Sequence, residues 1–237
     1  MTNYWEHFSP DKEIAQARNL ANAAKAAGVQ HVVWSTLEDT RRWVPLGDDR
    51  MPTLQGRFKV PHFDTKGESN AFFKEAGVPT TFLHTSFYWD NLIYFGMEPQ
   101  RGEDGKLTLV IPMGEKKLPG IAAADIGKCV YGIFREGQAH IGETIGIAGE
   151  HLTGVEMAAE LSKALGEEVT YYAMPWDQYR ALGFPGADDL GNMMQFKHDF
   201  QDDYLAVRDL VVTRRLNPEL QTLSRWLDEN GSAIPRH

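Results

Sequence analysis

Apolar residues recur every third or fourth position through Ile14, Ala17, Leu20, Ala21 and Ala24, which is the period of an amphipathic helix. Ser9-Pro10-Asp11 starts that helix with a capping hydroxyl and a proline at the first helical position, and Gly28 ends it. His31-Val32-Val33-Trp34-Ser35 follows as a short buried strand. Residues 40–60 show no period, and Gly47-Asp48-Asp49, Pro52 and Gly56 mark a long loop of the kind that serves as a lid. A second helix opens at His62 and runs to about Ala76, with Phe63, Ala71 and Phe72 as core contacts and Gly77 as its stop. Thr80-Thr81-Phe82-Leu83-His84 is the next strand. Helix, strand, helix, strand with short connections predicts parallel pairing through crossovers, a doubly wound α/β sheet.

Ser86-Phe87-Tyr88-Trp89-Asp90-Asn91 lies just past the carboxyl end of that strand, where ligands sit in open α/β sheets. Its three aromatics suit either a core plug or a stacking wall for a flat ring. Leu107 to Ile111 alternates as a strand, Asp125 begins a helix, and Thr144 to Ala148 is a further strand. Thr153-Gly154-Val155-Glu156 is a capping box opening a helix to Leu165, and Val169-Thr170-Tyr171-Tyr172 is a strand. From Pro175 the pattern is mostly helical, broken at Gly183-Phe184-Pro185-Gly186; a last helix starts at Asn217-Pro218 and presents Leu220, Leu223 and Trp226 on one face. This half reads as a smaller, mostly helical cap over the sheet.

Composition narrows the classes. With 237 residues and 42% hydrophobic positions the chain buries a real core in one domain. A net charge of -9 argues against a nucleic-acid backbone as partner, and Arg41-Arg42 and Arg214-Arg215 are too short to make a basic face. No apolar run approaches a membrane span. The single cysteine, Cys129, stands in an apolar helical pattern with Ile126, Val130, Ile133 and Phe134; it reads as packing and suits a reducing cytoplasm.

The familiar reaction motifs are missing. His7, His31, His62, His84, His140, His151, His198 and His237 are scattered without ligand spacing, so no metal site is expected. There is no G-x-S-x-G elbow and no G-x-G-x-x-G after a strand. The acidic pairs Asp48-Asp49, Asp188-Asp189 and Asp202-Asp203 read as solvated surface. One stretch stands out: His62-Phe63-Asp64-Thr65-Lys66-Gly67-Glu68 puts a lysine in the first turn of a helix, where the dipole favours carboxylates. That ammonium is either a solvated surface group or wanted by something else.

Several separated segments together resemble the NmrA-like family, atypical short-chain dehydrogenase relatives. They are Met1-Thr2-Asn3-Tyr4-Trp5-Glu6, Val33-Trp34-Ser35 with Leu37-Glu38, His62-Phe63-Asp64-x-Lys66-Gly67-Glu68, Phe87-Tyr88-Trp89-Asp90-Asn91-Leu92 and Leu182-Gly183-Phe184-Pro185-Gly186-Ala187-x-Asp189-Leu190. Within the family the likeness is nearest to its domain-containing redox sensor proteins. The resemblance implies an NAD(P)-binding Rossmann-like sheet and NADP as cofactor. It implies that Thr2, Asn3 and Tyr4 run beside the adenosine and pyrophosphate, that Lys66 hydrogen-bonds the nicotinamide ribose, and that Tyr88, Trp89, Asp90 and Asn91 border the nicotinamide end. It divides the single domain at about residue 115, with the remainder of the Rossmann half before and a substrate- or partner-binding part after. It also implies that the first strands and the glycine-rich loop precede Met1; at about 30 residues per βαβ unit, on the order of 70 to 80 residues are expected there.

The Tyr-x-x-x-Lys pair of ordinary short-chain dehydrogenases would put tyrosine at position 62, where this chain has His62. Ser35 falls at the substrate-orienting serine. The catalytic candidates are therefore His62, Tyr88 and Ser35, with none assigned. Three functions follow: an NAD(P)-binding regulatory or redox-sensing protein with little or no turnover, an NADPH-dependent reductase of small carbonyls or quinones, and a protein-interaction piece that binds no cofactor. The first implies a protein partner such as a transcription factor or enzyme, a possible homodimer, and a cytoplasmic or (in a eukaryote) also nuclear location.

Overall fold

The computed structural model describes residues 1–236; His237, one of the scattered histidines, lies outside them. The first helix, α1 (Pro10–Ala26), has Ser9 as its cap, and its buried face of Ala17 and Ala21 meets Trp34, Phe73 and Phe82. β1 (Val32–Thr36), α2 (Pro61–Ala76) and β2 (Thr80–His84) form a βαβ unit in which Val32 pairs with Thr80 and Thr36 with His84, parallel. The short β3 (Phe87–Tyr88), α3 (Asn91–Tyr94) and β4 (Gln100–Arg101) lead to β5 (Leu107–Val110), β6 (Lys117–Ile121) and α4 (Ala123–Glu136). Then come β7 (Thr144–Gly146), β8 (Glu150–Thr153), α5 (Gly154–Leu165) and β9 (Val169–Tyr172). Five helices close the chain: α6 (Trp176–Arg180), α7 (Ala187–Asp199), α8 (Gln201–Val207), α9 (Leu210–Leu216) and α10 (Leu223–Asn230).

The strands make three small sheets, β1-β2-β7, β3-β6-β8 and β4-β5-β9. The first is wholly parallel, and every residue of its central strand β2 is buried, as a strand covered on both faces must be. β7, from the second half of the chain, joins the sheet that the first half begins. The second half is thus more strand-rich than a helical cap: β6 and β8 pair antiparallel, and β9 runs parallel to β5.

Several expected elements shift. Residues 40–60 are not a lid. They form a short 3-10 turn (Thr40–Arg42) and pack Val44, Met51, Phe58 and Val60 into the core. Asp64 explains why: fully buried on α2, it accepts the backbone N–H of Thr40 (2.8 Å), Lys59 (2.8 Å) and Val60 (3.1 Å) and the Thr40 hydroxyl (2.6 Å). Lys59, also buried, donates to the carbonyls of Asp48 and Met51, tying down the loop's middle. On α2 Phe63 is buried as expected and Phe72 is half-buried, but Phe73 is the further buried ring and Ala71 is exposed. The last helix starts after Thr222, whose side chain caps it, and Leu220 packs before it in a separate cluster with Cys129 and Ile133. Cys129 is fully buried, and burial, helped by Asp125, pushes its thiol up to about 12, so it packs as expected. No helix among the described residues is long and apolar enough to cross a membrane.

Candidate functional site

The carboxyl ends of β1 and β2 and the first half of α2 converge on one region. α2 begins at Pro61, so Lys66 stands in its second turn and the argument from the helix dipole lapses. Gly67 makes the position possible. A Cβ there would stand 2.7 Å from the Asp39 backbone nitrogen, so only glycine lets the chain leaving β1 cross α2 this closely. The Thr36 hydroxyl then donates to the Lys66 carbonyl (2.9 Å), fixing strand end to helix.

Lys66 is not a solvated lysine. Its Nζ lies 2.8 Å from Glu13 Oε1, 2.8 Å from Thr2 Oγ1 and 3.3 Å from the Thr2 carbonyl. Thr2 also donates to Glu13, closing a ring of three side chains. Glu13 is fully buried on α1, and its second oxygen has no hydrogen-bond partner among the described residues; His7 Nε2, likewise unpartnered, is 3.5 Å away. That oxygen, buried beside the ammonium, faces the His7 ring without a made hydrogen bond, an acceptor not yet satisfied. That pairing fits a ribose diol, which both donates and accepts. The residues present therefore fit the ribose end of a dinucleotide: Lys66 and Glu13 would hold it, with Thr2 beside them. No glycine-rich loop that would cradle its pyrophosphate is among these residues.

His62, one turn before Lys66, was expected as a candidate and Asp189 as surface. The structure joins them: Asp189 is buried in the first turn of α7, its Oδ1 2.7 Å from His62 Nδ1 and its Oδ2 accepting the His62 backbone N–H (3.2 Å). Only its neighbour Asp188 is exposed. The carboxylate selects the tautomer with the proton on Nδ1 and leaves Nε2 as the open nitrogen. Trp5 covers the ring at 4.7 Å between centroids, and Tyr4, buried, is 6.1 Å away. Burial, reinforced by Asp189, raises the Tyr4 hydroxyl far above the usual tyrosine range, so it stays protonated.

A third cluster was invisible in the sequence. Arg208, fully buried, meets Glu38 bidentately (2.6 and 3.1 Å) and donates to the Thr85 and Tyr204 carbonyls. His84 Nδ1 is 3.2 Å from Glu38. Burial works against the Glu38 carboxylate, yet Arg208 and His84 outweigh it and hold the carboxyl well below the usual range. Tyr88 reaches this neighbourhood: its hydroxyl is 3.0 Å from the Thr85 hydroxyl, and burial pushes it up. Ser35 is half-buried with no side-chain hydrogen bond among the described residues.

The remaining expected cofactor contacts divide. Asn3 is exposed, before the short turn at Tyr4–Glu6. Trp89 corrects the expectation of a stacking wall: it is 1% exposed, rests near Trp226 and fits only because Gly120 and Gly149 lack side chains. It is a core plug with no face for a ligand. Asp90 accepts the Ala123 N–H (2.8 Å) at the start of α4, and Asn91 opens α3; among the described residues no hydrogen bond joins either to Lys66 or His62. Likewise no cluster of His, Cys, Asp and Glu is arranged for a metal.

Known proteins resemble this chain in sequence and fold. The chain is 31% identical over 170 residues to the nitrogen metabolite repression protein nmrA of Emericella nidulans, covering 69% of this chain and 45% of that one. It is 31% identical over 183 residues to the NAD(P)H azoreductase of Xenophilus azovorans, covering 74% of this chain and 56% of that protein. It thus spans about half the length of these curated relatives. Among solved structures, NmrA, a negative transcriptional regulator, in complex with NADP superposes with a TM-score of 0.72 at 24% identity over 91% of this chain and 69% of that one. The fold is accordingly the Rossmann-like α/β fold of these proteins. The NmrA-like family pattern matches residues 1–227, nearly the whole described chain, and the protein belongs to that family.

Proposed function

We propose that the chain belongs to an NAD(P)-binding regulatory protein that reads the cofactor as a signal, with NADP as the cofactor and a transcription factor or enzyme as the partner. The observation that carries this reading is the Lys66–Glu13–Thr2 ring with the unpartnered second oxygen of Glu13. A ribose entering there competes with Thr2 for Lys66 and so loosens residues 2–9, which carry Trp5 and the exposed Phe8. Loss or gain of that contact is a structural change that a partner can sense. Such a regulator works in the cytoplasm, or also in the nucleus of a eukaryotic cell, and a homodimer is compatible with it. The family link to a repression protein supports the reading.

The second reading is an NADPH-dependent reductase of small carbonyls or quinones, and one observation favours it. Asp189 holds His62 with Nε2 open, one turn from Lys66, an arrangement suited to moving a proton. Bound NAD(P)H would supply the hydride; His62, protonated on both ring nitrogens beside Asp189, would give its Nε2 proton to the substrate oxygen and be left as the Nδ1–H tautomer that Asp189 fixes. The azoreductase relative lends this reading support. One assay separates the two. NADPH consumption against a panel of quinones and aldehydes is expected to stay at background. Rapid turnover that falls by about 10²-fold or more in His62→Ala, the usual share of general acid–base catalysis, would replace the first reading with the second.

A further inference from the structure

Lys197 is used by neither reading, and its surroundings are unusual. It lies in the last turn of α7 and is 3% exposed, yet its Nζ has no hydrogen bond or ion pair among the described residues. The nearest listeners to its charge are two ring faces, Phe63 and Tyr204, each 5.6 Å from Nζ at the centroid. Glu38, from the strand end beyond β1, is the one acid that acts on it, and both Glu38 oxygens are already taken by Arg208, with His84 also alongside. Arg208 adds a like charge. Burial and then Arg208 push the Lys197 ammonium down to about 7, against the pull of Glu38. A helix C-terminus favours a cation, but by far less than burial of an unpaired charge costs.

We propose that Lys197 is the cation of a binding site for a small carboxylate at the carboxyl ends of β1 and β2. Position supports it, since that edge is where open α/β sheets take their ligands. Charge supports it: Lys197 and Arg208 against Glu38 leave one positive charge uncompensated among the three, and a monoanion completes the set. The donor count narrows the class. Arg208 spends four of its five N–H donors on Glu38, Thr85 and Tyr204, so the three protons of Lys197 are the main donors left, and a phosphate dianion would exceed the single excess charge. A carboxylate needs no more, and its apolar remainder is matched by the Phe63 and Tyr204 rings. Ser86 Oγ, next in the chain to the Thr85 carbonyl that Arg208 holds, is buried without a hydrogen-bond partner among the described residues.

The proposal goes beyond the dinucleotide reading and is tested without any nucleotide. Acetate is titrated into the full chain at pH 6, followed by calorimetry and by the lysine side-chain NMR signals, with chloride and phosphate as parallel arms. Saturable one-site binding of acetate, at least tenfold weaker for phosphate and absent for chloride, is expected. It should weaken by about tenfold for each pH unit above the lysine's pKa, as the ammonium is lost. In the unaltered protein, acetate should raise the pH at which the Lys197 signal titrates; in Lys197→Met binding should fall at least tenfold. Acetate binding unchanged in Lys197→Met, equal effects of all three anions, or a Lys197 titration indifferent to acetate would each overturn the proposal. The NMR arm needs no variant, so a poorly folding Lys197→Met does not spoil the test.

Discussion

Arg208→Ala is expected to destabilise the protein by about 3–5 kcal/mol, measured by chemical denaturation at neutral pH, because it leaves Glu38 charged and buried without its partner. The guanidinium does three things at once: it neutralises Glu38, satisfies the Thr85 carbonyl at the end of β2, and lies 3.5 Å over the Tyr204 ring. Replacing both partners, Glu38→Gln with Arg208→Met, should cost less than Arg208→Ala alone, since no orphan charge remains. The pH dependence carries a matching sign. A carboxyl held below its ordinary value in the folded state contributes stability above the unfolded carboxylate pKa, and that contribution is lost as pH falls through the folded one. The native protein should therefore lose stability on the acid side, and Arg208→Ala should lose less of it there. An Arg208→Ala variant as stable as the parent would mean that the pair is dispensable packing.

Asp64→Ala is expected to cost a similar amount, about 3–5 kcal/mol, by a different route. Its carboxylate is the acceptor for three backbone N–H groups and one hydroxyl, and removal leaves those donors buried and unsatisfied at roughly 1–3 kcal/mol each before relaxation. The damage should be local first. Hydrogen exchange is expected to rise at Thr40, Lys59 and Val60, and the 40–60 segment should detach before the β1-β2-β7 sheet opens. Uniform loss of protection across the molecule would contradict this account of how the loop is held.

These two residues also show where sequence reading stops. The βαβ order, the caps at Ser9 and Thr153 and the terminator Gly77 are local signals and were legible, since each depends on a few adjacent residues. β6 was missed because Pro119 and Gly120 weaken a strand pattern; β6 is the central strand, but Pro119 pairs with His151 of β8 and stands just before the stretch that pairs with β3, and Gly120 is needed to admit Trp89. Glu38 and Arg208 meet across 170 positions, a pairing no spacing rule contains. Asp189 was readable in principle: with Asn192, Met193 and Phe196 it shares the buried face of one helix, and an acid on an apolar stripe announces a partner. Lys197 stands one turn beyond Met193 on that same helix and carries the same signal. Trp89 could not be resolved from its aromatic neighbours, because plug and wall have the same composition and differ only in burial.

The central claim is that Lys66 reads a nicotinamide dinucleotide, and calorimetric titration of the full chain with NADPH tests it most directly. Saturable binding is predicted, weakened at least tenfold by Lys66→Met, and accompanied by a rise in melting temperature in the parent only. Binding that is unaffected by Lys66→Met would contradict the claim. So would a correctly folded parent protein whose melting temperature and heat of titration do not respond to NADPH at all.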